Sequence, residues 1–402
     1  MTRILFVDDE APVLDGLRTR LYRESGRWTM VFVDSGARAI AELEQAAFDV
    51  IVTDMRMPGM DGAELLQNVS ERWPQIIRIV LSGYAELQQA LRLVPVAHQY
   101  LSKPCDTQQL VSAIDGCLHS LTLLPHAELR SLVGRVRILP VMPHVYSKLR
   151  MAISRKNVDL QEIAELLASE PIMAAKILQM ANSAFFRLAR PTVSINKAVN
   201  YLGVPTIRNL ITSPSIFSPS PNHCPSTLVN FEQLLSHAHA AAAAAQGLAT
   251  SLSRGDEALL AGLLHNIGYW LLAHECPGRL ANAVEMAAAA HIPLYEAEAR
   301  VLGGSHAQIG AYLLGLWGLP QSIVEAVAYH HAPHSISQSK FEPLAALAVA
   351  NALLPTDDTD AFGVALVSDP KVDSTFLSRV NAPFDWTEAA QRVAKTVHTS
   401  KL

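Results

Sequence analysis

The first 120 residues alternate between short apolar runs and longer segments of helical periodicity. The apolar runs are "ILFV", "MVFV", "VIVT", "IRIVL" and "QYLS", which begin at positions 4, 30, 50, 77 and 99. A helix-like segment follows each run, and this alternation is typical of a parallel, doubly wound sheet. Such sheets bind ligands beyond the carboxyl ends of their strands. The pattern therefore predicts a five-stranded α/β domain over residues 1–120, with its site at that edge.

From residue 130 to residue 350 the apolar residues recur at helical spacing, and strand-like runs nearly vanish. "VDLQEIAELLASEP" has Asp159 and Glu162 at the spacing of a capping box, and Pro171 suits the first turn of the next helix. "SINKAVNYLGVPTIRNLI" predicts two helices that meet at Gly203. The boundaries that follow are 121–134 for a helical linker, 135–350 for an all-helical domain and 351–402 for a C-terminal helical extension.

The stretch "TQQLVSAIDGCLHSLTLL" carries an apolar stripe past the end of the first domain. A stripe of this kind is expected to pack against another surface. A second copy of the chain would make the protein a homodimer, and the helical domain of the same chain would make an intramolecular interface. The sequence leaves both alternatives open.

Composition narrows the function classes. The 402-residue chain is 50% hydrophobic and 17% charged, which is typical of folded domains, and its net charge of −5 gives no general attraction to nucleic acid or acidic membranes. Its four cysteines are widely spaced, which is typical of a reducing compartment. No signal-peptide layout opens the chain, and no apolar stretch reaches the ~20 residues that span a bilayer. We therefore expect a cytoplasmic protein with no nucleic-acid or membrane partner.

Polar side chains stand at the predicted strand ends. Asp8 and Asp9 follow the first strand, Asp54 the third, Ser82 the fourth and Lys103 the fifth. Clustered carboxylates bind hard cations such as Mg²⁺, and a bound cation lets one carboxylate act as a nucleophile toward a phosphoryl group. The lysine and the serine would donate to phosphoryl oxygens. The alternative is that the first two aspartates only cap the first helix.

The motifs "FVDDE", "TDMRMPGMDG", "LSGYAE" and "YLSKP" make residues 1–120 resemble the receiver domain of a two-component response regulator. The resemblance implies a flavodoxin-like fold in which Asp54 accepts phosphate from a histidine kinase. It implies that Mg²⁺ is held by Asp9, Asp54 and the carbonyl of Arg56, with Asp8 acting through water. Arg56 and Tyr84 would flank the phosphoryl group and shield it from water, so we expect slow dephosphorylation.

The same resemblance assigns the remaining receiver residues. Lys103 would contact the phosphoryl group, and Gly83 would leave room for it. Ser82 and Tyr100 would form a hydroxyl–aromatic switch. Tyr100 also has a simpler interpretation as an ordinary strand aromatic.

Histidines recur through the helical region at His237, His265, His306 and the pair His330–His331. Histidines that converge from neighbouring helices can bind metal ions that activate water for attack on a phosphoester. The alternative for each is a core histidine that hydrogen-bonds the backbone.

Residues from about 130 to 345 resemble an HDOD domain, a relative of the HD and HD-GYP metal phosphohydrolases. The motifs that carry the likeness are "ILPVMP", "SEPIMAAKILQMANSAFF", "INKAVNYLG", "LLHNIG", "HAQIGAYLLGLWGLP" and "AYHHAP". Asn266 stands where the metal-bridging aspartate of the catalytic relatives would be, Tyr269 replaces a general-acid lysine, and no GYP sequence is present. An uncharged amide with one weak donor oxygen does not bridge two cations, so we expect the dinuclear site to be lost.

Two functions remain. The first is a response regulator in which phosphorylation of Asp54 controls a non-catalytic HDOD output that contacts a downstream signalling protein, one linked by the resemblance to cyclic-dinucleotide signalling. In it Asn266 hydrogen-bonds neighbouring helices. The alternative is a phosphorylation-gated phosphohydrolase of cyclic dinucleotides or nucleotides. Its transition metal would use the vestigial set His237, His265, Asn266, His306 and His330, whereas Mg²⁺ is expected in the receiver in either case.

Overall fold

The computed structural model describes residues 1–83, 93–137, 139–183, 192–214, 216–219, 228–249, 254–336, 340–355, 358–367 and 372–399. Its N-terminal domain is a parallel sheet whose strands are β1 Thr2–Val7, β2 Trp28–Val33, β3 Val50–Asp54, β4 Ile77–Ser82 and β5 Gln99–Ser102. The strand order is β2-β1-β3-β4-β5. The helices are α1 Ala11–Arg20, α2 Gly36–Gln45, α3 Gly62–Arg72 and α4 Thr107–Leu123, with a 3-10 turn at Tyr22–Glu24. The predicted doubly wound α/β fold is confirmed.

Strand register explains why the polar residues meet. Asp54 is paired with Leu81, and Ser82 is paired with Ser102, so β3, β4 and β5 end at one level. Strand β3 is buried along its whole length, as expected for a central parallel strand covered on both faces. The side chains that follow the strands therefore share one edge of the sheet.

The C-terminal region is helical, as predicted. Its helices are α5 Ala127–Arg135, α6 Pro143–Ser154, α7 Leu160–Ala168, α8 Pro171–Asn182, α9 Ile195–Thr212, α10 Phe231–Ala249, α11 Gly255–Leu264, α12 Ile267–Glu275, α13 Pro277–Ala290, α14 Leu294–Leu302, α15 His306–Leu316, α16 Gln321–Tyr329, α17 Pro343–Leu353, α18 Ser374–Arg379 and α19 Trp386–Thr399. Short 3-10 helices lie at Pro333–Ser335 and Asp358–Phe362. A small parallel pair, β6 Leu139–Val141 with β7 Phe217–Pro219, was not predicted, because three residues are too few to show a period.

Local signals set several helix ends. Asp159 caps α7 through its side chain, but Glu162 pairs with Arg155 and does not complete a capping box. Pro171 opens α8, as predicted. Gly203 adopts φ 72°, which breaks the helical geometry of α9 where the sequence predicted a stop.

The apolar stripe of α4 packs within the chain. Ile114 and Cys117 are buried, and a Cβ atom added at Gly315 of α15 would lie 2.0 Å from the hydroxyl of Ser120. The two helices therefore approach closely at a glycine. Of the two alternatives for the stripe, the structure shows the intramolecular interface.

Small residues also bring the central helices together. A Cβ atom added at Gly262 of α11 would lie 2.5 Å from Cα of Ala242 in α10. Helix α10 begins at Phe231, so His237 lies in its second turn. Among the helices that the structure describes, none is long and apolar enough to cross a bilayer.

Candidate functional site

Lys103 joins two carboxylates at the edge of the sheet. Its Nζ lies 2.6 Å from Oδ2 of Asp8 and 2.5 Å from Oδ1 of Asp54. The other oxygen of Asp54 accepts the backbone N–H of Arg56 at 2.7 Å. Burial disfavours the charged ammonium, but the hydrogen bonds to Asp54 and Asp8 outweigh it and raise the pKa of Lys103. Both oxygens of Asp54 thus have donors, and the lysine is charged.

A cavity of about 430 Å³ opens beside this edge. Its lining includes Asp9, Arg56 and Asp61. Asp8 is buried and accepts the N–H of Glu10, and α1 has no side-chain cap, so the alternative that Asp8 and Asp9 only cap this helix is not supported. Carboxylates, together with a backbone carbonyl, are the hard oxygen ligands that suit Mg²⁺. The donor set therefore fits the cation that the sequence predicted.

The hydroxyl and aromatic residues lie on the adjoining strands. The Ser82 hydroxyl donates to the carbonyl of Gly83 at 3.2 Å, and a Cβ atom added at Gly83 would meet nothing within 4 Å. Tyr100 is buried, its hydroxyl donates to the carbonyl of Leu93 at 3.0 Å, and burial raises its pKa. Tyr84, the predicted shield, lies outside the described residues. The absence of described atoms around Gly83 is what its predicted role of leaving room for a phosphoryl group requires.

Two buried histidines in the helical domain each use Nδ1 to hydrogen-bond the backbone carbonyl three residues earlier in the chain. Nδ1 of His265 donates to the carbonyl of Gly262 at 2.7 Å, and Nδ1 of His330 donates to Val327 at 2.8 Å. Neither Nε2 atom has a hydrogen-bond partner among the described residues. Burial lowers the pKa of both imidazoles well below 6.5. Each ring is therefore neutral, with a lone pair on Nε2.

His306 is fixed by a carboxylate that the sequence analysis missed. Oε2 of Glu298 accepts the backbone N–H of His306 at 2.7 Å and its Nδ1–H at 2.8 Å, and both residues are fully buried. Nε2 of His306 lies 3.0 Å from Nε2 of His331. Two lone pairs repel at that distance, so the geometry needs a proton on one nitrogen or a cation between them.

The four histidines of the predicted vestigial set come together, and Asn266 directly follows His265 in the chain. Rings of His237 and His265 are 5.4 Å apart, those of His265 and His330 5.0 Å, and those of His306 and His330 5.6 Å. Asn266 is buried, and neither polar atom of its side chain has a partner among the described residues. The expected hydrogen bonds from Asn266 to neighbouring helices are thus not found there.

A single cation fits this centre better than two. One nitrogen each from His306, His330 and His331 lies within 4.8 Å of the others, and neutral imidazole suits transition metals. Glu298 supports His306 from behind, an arrangement that orients metal-binding histidines. Tyr269 stacks on the His306 ring at 3.8 Å, which covers one of its faces.

Two family models match the chain. Residues 4–115 match the model described as a response regulator receiver domain, and residues 139–333 match the model described as an HDOD domain. These matches agree with the order of the α/β and helical domains in the structure.

Curated relatives match parts of the chain. An uncharacterized protein of Treponema pallidum is 29% identical over 216 residues, which are 52% of this chain and 41% of that protein. The uncharacterized transcriptional regulatory protein YesN of Bacillus subtilis is 36% identical over 30% of this chain and 33% of its own length. The response regulator protein FleR of Pseudomonas aeruginosa is 26% identical over 49% of this chain and 39% of its own length. The chain spans less than half the length of each of these relatives.

Solved structures give weaker likenesses. The MmoQ response regulator from Methylococcus capsulatus is 20% identical, with 63% of this chain and 97% of that chain covered and a TM-score of 0.48. An HDOD domain protein of unknown function from Geobacter sulfurreducens is 22% identical, with 70% of this chain and 96% of that chain covered and a TM-score of 0.39.

Proposed function

Because this chain is a receiver domain followed by an HDOD domain, the domain pairing of a response regulator, we propose that a histidine kinase phosphorylates Asp54 and so controls the HDOD output. The observation that carries the proposal is the position of Asp54. Its carboxylate lies between Lys103 and the Arg56 N–H, beside an open cavity at the carboxyl edge of the sheet.

The chain's own residues account for the phosphoryl transfer. An oxygen of Asp54 forms the new bond to phosphorus while the phosphorus–nitrogen bond of a phosphohistidine breaks. Asp9, Asp54 and the Arg56 carbonyl would hold Mg²⁺, with Asp8 acting through water, and the cation would neutralise the charge of the clustered carboxylates and the phosphoryl group. Lys103 then donates to a phosphoryl oxygen, and the Ser82 hydroxyl turns from Gly83 toward the same group.

We assign the HDOD domain a non-catalytic role in contacts with a downstream signalling protein. The support is Asn266, a buried amide directly after His265, at the position where a carboxylate would be needed to bridge two cations. Glu298 supports His306 instead: one of its oxygens accepts two N–H groups of that residue, and Glu298 does not belong to the group of ligand atoms that His306, His330 and His331 bring together. The centre therefore has no carboxylate positioned to bridge a metal pair among the residues described here.

Phosphorylation is tested with the full-length chain, Mg²⁺ and acetyl phosphate, followed by intact-mass measurement. We expect one phosphoryl group per chain, none in Asp54→Asn, and an undiminished yield in Asp34→Asn, which changes an exposed aspartate after β2. Phosphorylation of Asp54→Asn to the level of the unmodified chain would contradict the assignment.

A second candidate function, metal-dependent phosphoester hydrolysis, is favoured by the geometry of His306, His330 and His331. It requires a transition metal in protein purified without chelator or nickel resin. Near-stoichiometric zinc, iron or manganese that is lost in His331→Ala would support it. A folded full-length chain that contains none of these metals would exclude metal-dependent hydrolysis as a function.

A further inference from the structure

A short segment between β4 and β5 is bound by both domains. Four side chains, two from the receiver and two from the helical domain, donate hydrogen bonds to carbonyl groups in residues 93–98. The pairs are Tyr100 to Leu93 at 3.0 Å, Arg78 to Val96 at 2.6 Å, Lys176 to Val94 at 2.9 Å and Gln179 to His98 at 2.7 Å. We call residues 93–98 the shared segment.

The two donors from the helical domain lie on one face of α8. Lys176 and Gln179 are three residues apart, and both are buried. The Lys176 ammonium also lies 4.7 Å from the centre of the Trp317 ring, a cation–π contact. Burial lowers the pKa of Lys176 to about 7. Taking a lysine out of water is costly, so these contacts must offset that cost for the docked arrangement to persist.

Helix α15 joins the same interface to the histidine centre. Its C-terminal end packs on receiver helix α4 at Gly315, and Trp317 follows directly. His306 opens its N-terminal end, where a Cβ atom added at Gly268 would lie 2.0 Å from the His306 carbonyl oxygen. One helix of eleven residues therefore contacts the receiver at one end and the histidines at the other.

We propose that the shared segment couples Asp54 to the helical domain: the contacts of Lys176 and Gln179 stabilise the unphosphorylated receiver, and phosphorylation releases α8 from the segment. This inference rests on the proposed function of Asp54. Its direction follows from Ser82, whose hydroxyl donates here to Gly83, in the β4–β5 connection that leads to the shared segment. The hydroxyl must leave that carbonyl to reach a phosphoryl group.

Coupling of this kind is reciprocal. If a phosphoryl group at Asp54 weakens the docking of α8 by some factor, docking of α8 weakens the binding of the phosphoryl group by the same factor. Weakening the docked contacts should therefore tighten binding of a phosphoryl mimic at Asp54. Typical couplings between sites change affinity by roughly 5-fold to 150-fold. We expect at least ~5-fold tighter binding when the Lys176 contacts are removed.

The probe is beryllium fluoride with Mg²⁺, titrated calorimetrically into the full-length chain. Lys176→Met keeps an unbranched buried side chain and removes the ammonium, whereas Lys197→Met makes the same change at an exposed position of α9. Gln179→Met removes only the hydrogen bond to His98. It replaces the lysine variant as the test if Lys176→Met does not fold. We expect tighter binding in Lys176→Met and Gln179→Met, and unchanged binding in Lys197→Met.

The outcomes separate the two proposals. If the unmodified chain binds beryllium fluoride and both α8 variants bind with equal or weaker affinity, the coupling is refuted while phosphorylation of Asp54 stands. If neither the unmodified chain nor any variant binds beryllium fluoride or accepts phosphate from acetyl phosphate, the proposed function itself fails, and the coupling fails with it.

Discussion

Gly134→Ala should destabilise the chain at the point where helix α5 meets the receiver. A Cβ atom added at Gly134 would lie 1.8 Å from the backbone carbonyl oxygen of Pro74 and 2.7 Å from its carbon. Backbone atoms cannot rotate away as a side chain can, so α5 or the Pro74 loop must shift. The shift would also disturb Arg78, a fully buried residue that donates to the Gly134 carbonyl at 3.0 Å.

The magnitude follows from two opposing effects. Alanine is a better helix former than glycine by about 0.5–1 kcal/mol. Overpacking of a tight interface costs about 1–3 kcal/mol, and the lost Arg78 hydrogen bond adds to that cost. We therefore expect a net loss of about 1–2 kcal/mol in the free energy of unfolding.

Gly116→Ala is the matched control. Gly116 lies in α4, and a Cβ atom added there would meet nothing within 4 Å. We expect this variant to gain about 0.5–1 kcal/mol. Urea unfolding, followed by circular dichroism and tryptophan fluorescence together, measures both variants and reveals any separate unfolding of the domains. A Gly134→Ala variant as stable as Gly116→Ala would refute the packing argument.

Two further predictions concern buried charge. Burial raises the pKa of Glu170 to about 8, so between pH ~4.5 and ~8 the folded chain retains a proton that the unfolded chain has lost, and stability falls as pH rises. Glu170→Gln should remove this pH dependence of stability, and at pH 8 the variant should unfold at a higher urea concentration than the unmodified chain. If stability changes equally with pH in the two proteins, the prediction is wrong. Lys103→Met leaves the carboxylates of Asp8 and Asp54 without their cation, so we expect a loss of about 1–3 kcal/mol after allowance for the partial exposure of the lysine. Millimolar Mg²⁺ should restore more stability to this variant than to the unmodified chain, and a smaller effect of Mg²⁺ in thermal unfolding would argue against a cation site here.

The receiver edge could be predicted because parallel strands place their carboxyl ends together. Once "VIVT" is taken as a central strand, Asp54 must lie beside the residues that follow the neighbouring strands. The structure places Lys103 within 2.6 Å of both Asp8 and Asp54. No such rule applies to helices, and convergence of the histidines was predicted only through the resemblance to a known family.

Contacts between distant segments were missed for physical reasons. Glu298 contacts His306 because a turn between α14 and α15 reverses the chain. Gly303 and the capping box of Ser305 with Gln308 mark that turn in the sequence, but they do not show which side chain of α14 will reach the histidine. Lys176 and Gln179 did carry a signal. They are the polar residues in the middle of the apolar helix "PIMAAKILQMAN". Polar side chains in a buried helix are costly unless they have hydrogen-bond partners, so these two residues indicate a polar contact.

We infer that a change at Asp54 reaches the helical domain, and hydrogen exchange can detect this coupling. Exchange is measured by mass spectrometry on the full-length chain with Mg²⁺, before and after acetyl phosphate. We expect faster exchange in α8 and at the C-terminal end of α15 after phosphorylation, and no change in Asp54→Asn. Stoichiometric phosphorylation that leaves exchange in both helices unaltered would contradict it.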